Sequence, residues 1–161
     1  MRECSTRTGE GPSISMRTSD IAHQFVESLN RRDLAAFAQL FDKDRYTWHG
    51  PAGEVWGPGN FSPAGPAAEF EAFPDISYHI EEVVAEGDKV VMRLIEPATH
   101  TGGAIWGISP KGRRVTLRNT VILRIENDKI VEEWDSYDML SILLQLGATP
   151  AELIALAGPA S

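Results

Sequence analysis

The stretch RVTLRNTVILRIENDKIVEEWDSY, residues 114–137, decides the fold of this chain because it has the pattern of one long β-hairpin. Apolar and polar residues alternate from Val115 to Ile125, and this period of two predicts a strand with one buried face. Asn127 and Asp128 are expected to form a two-residue turn, since both residue types tolerate positive φ. The second arm then returns antiparallel to the first.

The register of this hairpin follows from pairing the two residues that flank the turn. It predicts the pairs Glu126–Lys129, Ile125–Ile130, Leu123–Glu132, Val121–Trp134 and Asn119–Ser136. The Glu132 carboxylate is then expected in an otherwise apolar inward row, beside Trp134 and near Asn119. Asp135 falls on the opposite face by the same count, although a single β-bulge near Trp134 would reverse that assignment.

The composition excludes several classes of function. The chain has 161 residues, of which 42% are hydrophobic and 24% charged, as in an ordinary globular domain. Its net charge of −8 argues against a nucleic-acid partner, because phosphate binding relies on clustered Lys and Arg. Cys4 is the single cysteine, so no internal disulfide can form, which fits a reducing cytoplasm.

Residues 1–17 contain charged, Ser, Gly and Pro residues without an apolar run. We therefore expect a disordered tail, or an extension upstream of a start at Met16, rather than a signal peptide or membrane anchor. No other segment is long enough to cross a membrane. One domain is predicted over residues 18–157, with a cytoplasmic location.

The order of predicted elements indicates the fold class. Two helices, the first capped within residues 18–20 and the second capped by Asp33, precede a short strand and a weak helix. From Ile76 the pattern changes to long hairpins, and the chain ends in helices, the first capped by Asp138 and ended by Gly147. This predicts an α+β domain with helices on one face of a strongly curved, mostly antiparallel sheet, and a ligand cavity between them.

Several motifs carry a resemblance to a known family: FPD at 73–75, HTG at 100–102, KIVEEWD at 129–135 and QLG at 145–147. Over residues 18–147 the sequence resembles the SnoaL-like branch of the NTF2-like superfamily. The resemblance implies a cone-shaped α+β fold that commonly forms homodimers or homotetramers. Its best-known members are polyketide cyclases, which close a ring by intramolecular aldol condensation without metal or organic cofactor. Relatives assist hydroxylation, isomerise ketosteroids or open epoxides.

The acid/base in the cyclases is an aspartate on the closing hairpin, and the predicted register places the matching inward position at Glu132. There the side chain is one methylene longer, which moves the oxygens by about 1.5 Å, and misplacement of that order costs ~10²-fold in rate. Desolvation would raise the pKa of Glu132 towards the operating range of a general base. Asp135 is kept as a second candidate acid/base.

Asn119 is a polar residue in an apolar row and therefore needs a partner. It is expected either to polarise a substrate carbonyl or to make a structural hydrogen bond to Ser136 or Glu132. His49 and His100 are expected near the cavity mouth, where a structural role is favoured for both; the alternatives are ligand binding by His49 and catalysis by His100. Their spacing has no close-pair metal signature, so no metal is expected, and the family resemblance implies no organic cofactor either.

The remaining candidates are apolar and aromatic residues expected to hold the ligand: Trp48, Tyr78, Met92, Leu117 and Trp134. Flat aromatic walls suit an aromatic or polycyclic molecule, and ordinary core packing is the alternative for each of them. The expected partner is thus a small hydrophobic molecule. Two other functions stay open at this point: a binding protein without catalysis, and an interaction protein that uses the outer face of the sheet.

Overall fold

The computed structural model describes residues 17–58 and 61–157. The elements in chain order are α1 (Thr18–Asn30), α2 (Leu34–Gln39), β1 (Thr47–His49), β2 (Val55–Trp56), α3 (Ala64–Ala72), β3 (His79–Glu86), β4 (Lys89–Thr99), β5 (Arg114–Glu126), β6 (Lys129–Tyr137), α4 (Met139–Leu146) and α5 (Pro150–Ala157). The predicted tail lies almost wholly outside the described residues. Arg17, its last residue, is the N-cap of α1 and forms an ion pair with Asp20.

The six strands form one sheet in the order β2-β1-β6-β5-β4-β3. Neighbouring strands are antiparallel except β1, which runs parallel to β6. The apolar stripe of α1 packs with the inward rows of β4 and β5 in one core that includes Ile21, Phe25, Leu29, Val90, Leu94 and Val121. The predicted α+β fold with the first helices packed over one face of a mostly antiparallel sheet is confirmed.

The closing hairpin contains the feature that sequence counting missed. Its turn is as predicted, with Glu126 paired to Lys129 and positive φ at Asn127 (51°) and Asp128 (59°). Ile125 still pairs with Ile130, but Arg124 pairs with Glu132, so Val131 is an extra residue in β6. This β-bulge shifts every later pair by one residue and reverses the face on which each β6 side chain lies.

Helix caps mostly follow the sequence. The carboxylates of Asp33 and Asp138 accept hydrogen bonds from the backbone N–H groups of Ala36 and Ser141, both at 2.9 Å. Gly147 ends α4 with φ of 77°, a conformation that suits glycine. The expected side-chain cap within residues 18–20 is wrong, because α1 begins after Arg17 without a side-chain cap hydrogen bond.

The HTG motif joins α3 to the sheet. The backbone N–H of Gly102 donates to the carbonyl of Ala72 at 3.0 Å, and that of Gly103 donates to the carbonyl of Glu71 at 3.0 Å. A Cβ on Gly102 would lie 1.7 Å from the Glu71 carbonyl oxygen, so only glycine allows this close approach. The motif thereby fixes the C-terminal end of α3 against β4. No helix in the described part of the chain is long and apolar enough to span a membrane.

The turn provides a test of the hairpin. Because Asn127 has positive φ, we expect Asn127→Val to lower the free energy of unfolding by about 1–2 kcal/mol, since a β-branched residue is strained in the left-handed region. The matched variant Asn127→Gly should retain wild-type stability in urea unfolding. Equal losses in the two variants would contradict a left-handed turn residue.

Candidate active site

A cavity of about 480 Å³ lies between the helices and the inner face of the sheet. Its walls are mostly apolar and aromatic, and they come from α1, α2, the loop around β2, α3 and the inward rows of β4, β5 and β6. The described lining residues include Phe25, Phe41, Trp48, Trp56, Phe61, Tyr78, Leu94, Trp106, Val121 and Tyr137. This is the size and character of a site for a small polycyclic or otherwise bulky apolar ligand.

Asp135 faces this cavity from β6, opposite Val121 of β5. The indole N–H of Trp48 donates to its Oδ2 at 2.6 Å, and Nδ2 of Asn119 donates to its Oδ1 at 3.1 Å. Burial raises the pKa of Asp135 above its ordinary value, while these two hydrogen bonds favour the carboxylate and limit the rise. Each carboxylate oxygen keeps a further lone pair for a ligand proton.

Glu133 lies two residues before Asp135 on the same face of β6 and also lines the cavity. The hydroxyl of Tyr46 donates to its Oε2 at 2.6 Å. Burial, followed by the charge of Asp135, raises the pKa of Glu133 well above its ordinary value. Asp135 accepts hydrogen bonds from two N–H donors and Glu133 from one hydroxyl, and such bonds favour the carboxylate, so Asp135 is the member of this pair that ionises more readily.

Two further acids reach the cavity from other elements. The hydroxyl of Tyr78 donates to Oε2 of Glu69 on α3 at 2.8 Å, and burial raises the pKa of Glu69 to about 7. Glu96 is in the inward row of β4 and is 5% exposed. Burial, and then the charges of Glu69 and Asp135, raise the pKa of Glu96 to about 8.

The electrostatic character of the site follows from this set of four acids. No lysine, arginine or histidine occurs among the described residues that line the cavity. The acids therefore reduce their mutual repulsion by binding protons rather than by forming ion pairs. At neutral pH the cavity combines an ionisable Asp135 with Glu133 and Glu96, whose pKa values lie higher, and with Glu69, whose pKa of about 7 leaves it partly protonated.

The inward position predicted for Glu132 is wrong. The bulge turns Glu132 to the outer face, where Nε of Arg124 contacts Oε2 at 2.8 Å and Nε2 of His49 contacts Oε1 at 2.9 Å. Burial by itself would raise the pKa of Glu132, but the hydrogen bonds from Arg124 and His49 outweigh it and lower the pKa. An ion-paired carboxylate outside the cavity has neither the location nor the basicity of the predicted general base.

Two residues predicted to face the ligand lie on this same outer face. His49 stacks on Trp134 with ring centroids 4.9 Å apart and planes 6° from parallel. Lys89 lies over the ring of Trp134, with Nζ 5.7 Å from the ring centroid. The ligand-binding positions predicted for His49 and Trp134 are therefore wrong, for the same reason as for Glu132.

Three more candidates are buried in the core and do not line the cavity. Met92 is fully buried and Leu117 is 5% exposed, so both pack between sheet and helices. His100 is also fully buried, with Nε2 2.8 Å from the carbonyl oxygen of Gly103 and its ring 5.3 Å from that of Phe73. This position agrees with the structural reading of His100 and places it away from the cavity mouth.

The structure thus brings together Trp48, Tyr78, Asn119 and Asp135 of the predicted residues. Glu133 was missed because the bulge reverses its face, and the adjacent pair Ile130-Val131, both buried, is the sequence signal that could have revealed it. Glu96 was missed although it continues the alternation of Met92 and Leu94. Glu69 had no such signal, because its helix lacks a clear amphipathic pattern.

The described residues contain no group of three or more His, Cys, Asp or Glu side chains placed to hold a metal ion. The four cavity acids are distributed over α3, β4 and β6. The absence of a metal or organic cofactor stays a prediction. The site as it stands offers proton transfer and hydrogen bonding by carboxyl groups in an apolar environment.

Comparison with known proteins supports the family and the fold. A sequence profile described as SnoaL-like polyketide cyclase matches residues 19–146. AclR from Streptomyces galilaeus, proposed to be a hydroxylase, is 27% identical, with a TM-score of 0.72 over 82% of this chain and 85% of AclR. IdmH from Streptomyces antibioticus, proposed to be a polyketide cyclase, is 28% identical, with a TM-score of 0.65 over 81% of this chain and 98% of IdmH.

A SnoaL-like protein from Jannaschia sp. CCS1 shares the fold, with a TM-score of 0.72 over 88% of this chain and 100% of that protein. At 19% identity this similarity concerns the fold alone. A comparison with curated proteins gave no match to this chain.

The raised pKa values predict how stability depends on pH. In the folded protein the pKa values of Glu69 and Glu96 are raised to about 7 and about 8. The contribution of the two protonated carboxyls to the free energy of unfolding is therefore complete below the ordinary glutamate pKa and is lost as pH rises through these values. At ~1.4 kcal/mol per pKa unit, the free energy of unfolding should fall by a few kcal/mol between pH 5 and pH 9. Urea unfolding across this range measures it.

The double variant Glu69→Gln/Glu96→Gln should make this dependence less steep, and the raised pKa values of Glu133 and Asp135 account for the slope that remains. Glu132→Gln is the matched control, because the pKa of Glu132 is lowered and its charge does not change in this range. A stability that rises with pH in the wild type would contradict the buried, neutral state of the cavity acids.

Proposed function

Because the chain belongs to the SnoaL-like polyketide cyclase family, we propose that it closes a ring in a hydrophobic, carbonyl-bearing substrate by proton transfer through Asp135. The observation that carries this proposal is the Asp135 carboxyl itself. It is half-buried in the cavity wall, held by Trp48 at 2.6 Å and Asn119 at 3.1 Å, and free of any ion pair among the described residues.

The proposed reaction is an intramolecular aldol addition. The Asp135 carboxylate removes a proton from the carbon next to a substrate carbonyl, and the enolate carbon then forms a bond to a second carbonyl carbon of the same molecule. The new alkoxide takes the proton back from Asp135, which regenerates the carboxylate without gain or loss of atoms. Burial supports the base role because it raises the pKa of Asp135 towards neutral pH.

Trp48 and Asn119 have a positioning role in this proposal. Each binds a different oxygen of Asp135, so the plane of the carboxylate is fixed relative to the cavity. A fixed base places its remaining lone pairs at a defined distance from the substrate carbon, and such placement accounts for large factors in rate. The hydrogen bond of Asn119 goes to Asp135, and not to Ser136 or Glu132 as expected; a contact of Asn119 with substrate stays a prediction.

A hydroxylation-related function is the second candidate, and it is favoured by the similarity to AclR at 27% identity. Hydroxylation also begins with formation of an enolate or phenolate, which Asp135 can generate in the same position. The two reactions differ in oxygen consumption, so an oxygen electrode distinguishes them once a substrate reacts. Ring closure proceeds unchanged without oxygen.

We also propose that the chain acts as a homodimer or homotetramer. Four apolar side chains on the two C-terminal helices are strongly exposed: Leu140, Leu144, Ile154 and Leu156, at 57%, 54%, 71% and 46%. A second copy that covers them would bury apolar area at about 25 cal/mol per Å². The mass of the particle in solution tests this assembly.

The base role of Asp135 can be measured without the natural substrate. We expect the wild type to accelerate exchange of the α-protons of 1-tetralone, a bicyclic ketone, in D₂O as followed by proton NMR. Asp135→Asn keeps the shape of the side chain but removes its basicity, so the exchange rate should fall by ~10²-fold or more. Glu132→Gln, on the outer face of the same strand, should exchange at the wild-type rate.

Loss of exchange in Glu132→Gln together with retention in Asp135→Asn would contradict the assignment of the base. Wild-type protein that binds 1-tetralone without accelerating exchange would indicate a binding protein instead of an enzyme. Near-ultraviolet circular dichroism of each variant checks that the cavity aromatics remain packed.

The charge of the site predicts a preference for neutral ligands. With four acids and no base among the described lining residues, a bound carboxylate would be buried without a counter-charge. We expect methyl anthracene-9-carboxylate to bind at least about tenfold more tightly than anthracene-9-carboxylate at pH 7.5, as measured by tryptophan fluorescence. Equal affinities would contradict an acidic, base-free cavity.

A further inference from the structure

Glu96 differs from the other cavity acids in having no partner. Tyr78 donates to Glu69, Tyr46 donates to Glu133, and Trp48 and Asn119 donate to Asp135. The Glu96 carboxyl makes no hydrogen bond or ion pair with any described residue, although the residue is only 5% exposed. It lines the cavity from β4, where the neighbouring inward residues Leu94 and Ala98 are apolar.

Such an arrangement is costly for the protein alone. Burial removes water from a carboxyl group, and without a hydrogen bond to the protein this desolvation cost is not compensated. An apolar residue at this position would continue the inward row of β4 without that cost. The unused hydrogen-bonding capacity of Glu96 is directed into the cavity, so a ligand atom is the partner that the described structure leaves for it.

The protonation state of Glu96 determines what this partner can be. Burial raises its pKa to about 8, so the carboxyl is neutral at pH 7 and offers an O–H donor. The titratable groups that face it are Glu69 on α3, Tyr78 before β3, and Asp135 and Tyr137 on β6, all acids. None of them supplies a positive charge that would keep Glu96 ionised.

We infer that Glu96 donates a hydrogen bond to a carbonyl oxygen of the bound ligand, so that the cavity recognises a neutral ketone at a point separate from Asp135. This assigns to the site a second ligand contact and a substrate class: apolar molecules with an uncharged carbonyl directed towards β4. The inference uses the same cavity as the proposed function, but it concerns binding and requires no turnover.

The test compares two rigid tricyclic ligands that differ in one oxygen, 9-fluorenone and fluorene. Neither ligand can undergo an aldol addition with itself, because fluorenone has no α-proton and fluorene has no carbonyl group. A failure of this binding test is therefore distinguishable from a failure of α-proton exchange at Asp135. For the wild type, the ratio of the dissociation constant of fluorene to that of fluorenone should be about fivefold larger at pH 6 than at pH 9. The reason is that ionisation of Glu96 removes one neutral hydrogen bond to the ketone. Dissociation constants from tryptophan fluorescence at the two pH values provide the measurement.

Two variants of Glu96 separate donation from burial. Glu96→Gln keeps an N–H donor at every pH, so its preference for fluorenone should be the same at pH 6 and pH 9. Glu96→Leu has no donor, so at both pH values its preference for fluorenone should be as low as that of the wild type at pH 9. Because Glu96 has no protein partner, Glu96→Leu should also be at least as stable as wild type in urea at pH 6.

Glu69→Gln is the matched control, since Glu69 is another cavity acid that loses its proton between pH 6 and pH 9 but already has Tyr78 as a partner. This variant should keep the pH dependence of the wild type. Loss of the dependence in Glu69→Gln would assign the donor to Glu69 and overturn the inference. A wild-type preference that does not change with pH, or one that persists in Glu96→Leu, would overturn it as well.

Discussion

One extra residue in the last strand decides which acids can act on a ligand. Val131 adds a bulge between Ile130 and Glu132, and from that point each β6 side chain lies on the face opposite to the one that simple alternation predicts. Glu133 and Asp135 enter the cavity as a result, while Glu132 faces Arg124 and His49. The bulge places every acid of this segment beside a suitable donor: a tyrosine, an indole or an amide inside, and a cation outside.

The acids inside the cavity explain how an apolar pocket can perform proton transfer. Burial opposes ionisation of all four, and the absence of a basic lining residue among those described leaves protonation as the way to reduce their repulsion. Trp48 and Asn119 favour the anion at Asp135 alone. The site therefore keeps one base among neutral acids, and this difference in environment assigns separate roles to chemically similar groups.

The chain belongs to the SnoaL-like polyketide cyclase family, and the acid/base role stays our proposal. An aspartate on the closing hairpin, expected from the family resemblance, is present at Asp135, so the longer glutamate at 132 no longer has to act as the base. The HTG motif supports the site indirectly, because the close approach of Gly102 to Glu71 fixes the helix that carries Glu69. Glu96 has no counterpart in the roles that the family resemblance implied.

Local sequence signals determined the elements, the turn at Asn127-Asp128, the caps at Asp33 and Asp138 and the end of α4 at Gly147, because each depends on one residue and its nearest neighbours. They also determined the α+β class and an apolar cavity. Only the tertiary structure decided on which face of the sheet Glu132, His49 and Trp134 lie. A bulge forms when the shifted register gives the side chains better partners on neighbouring strands than the regular register does, and those partners are distant in the sequence. The same reason applies to Glu69 and Glu96, whose carboxyls become a site only when α3 and β4 meet around a common space.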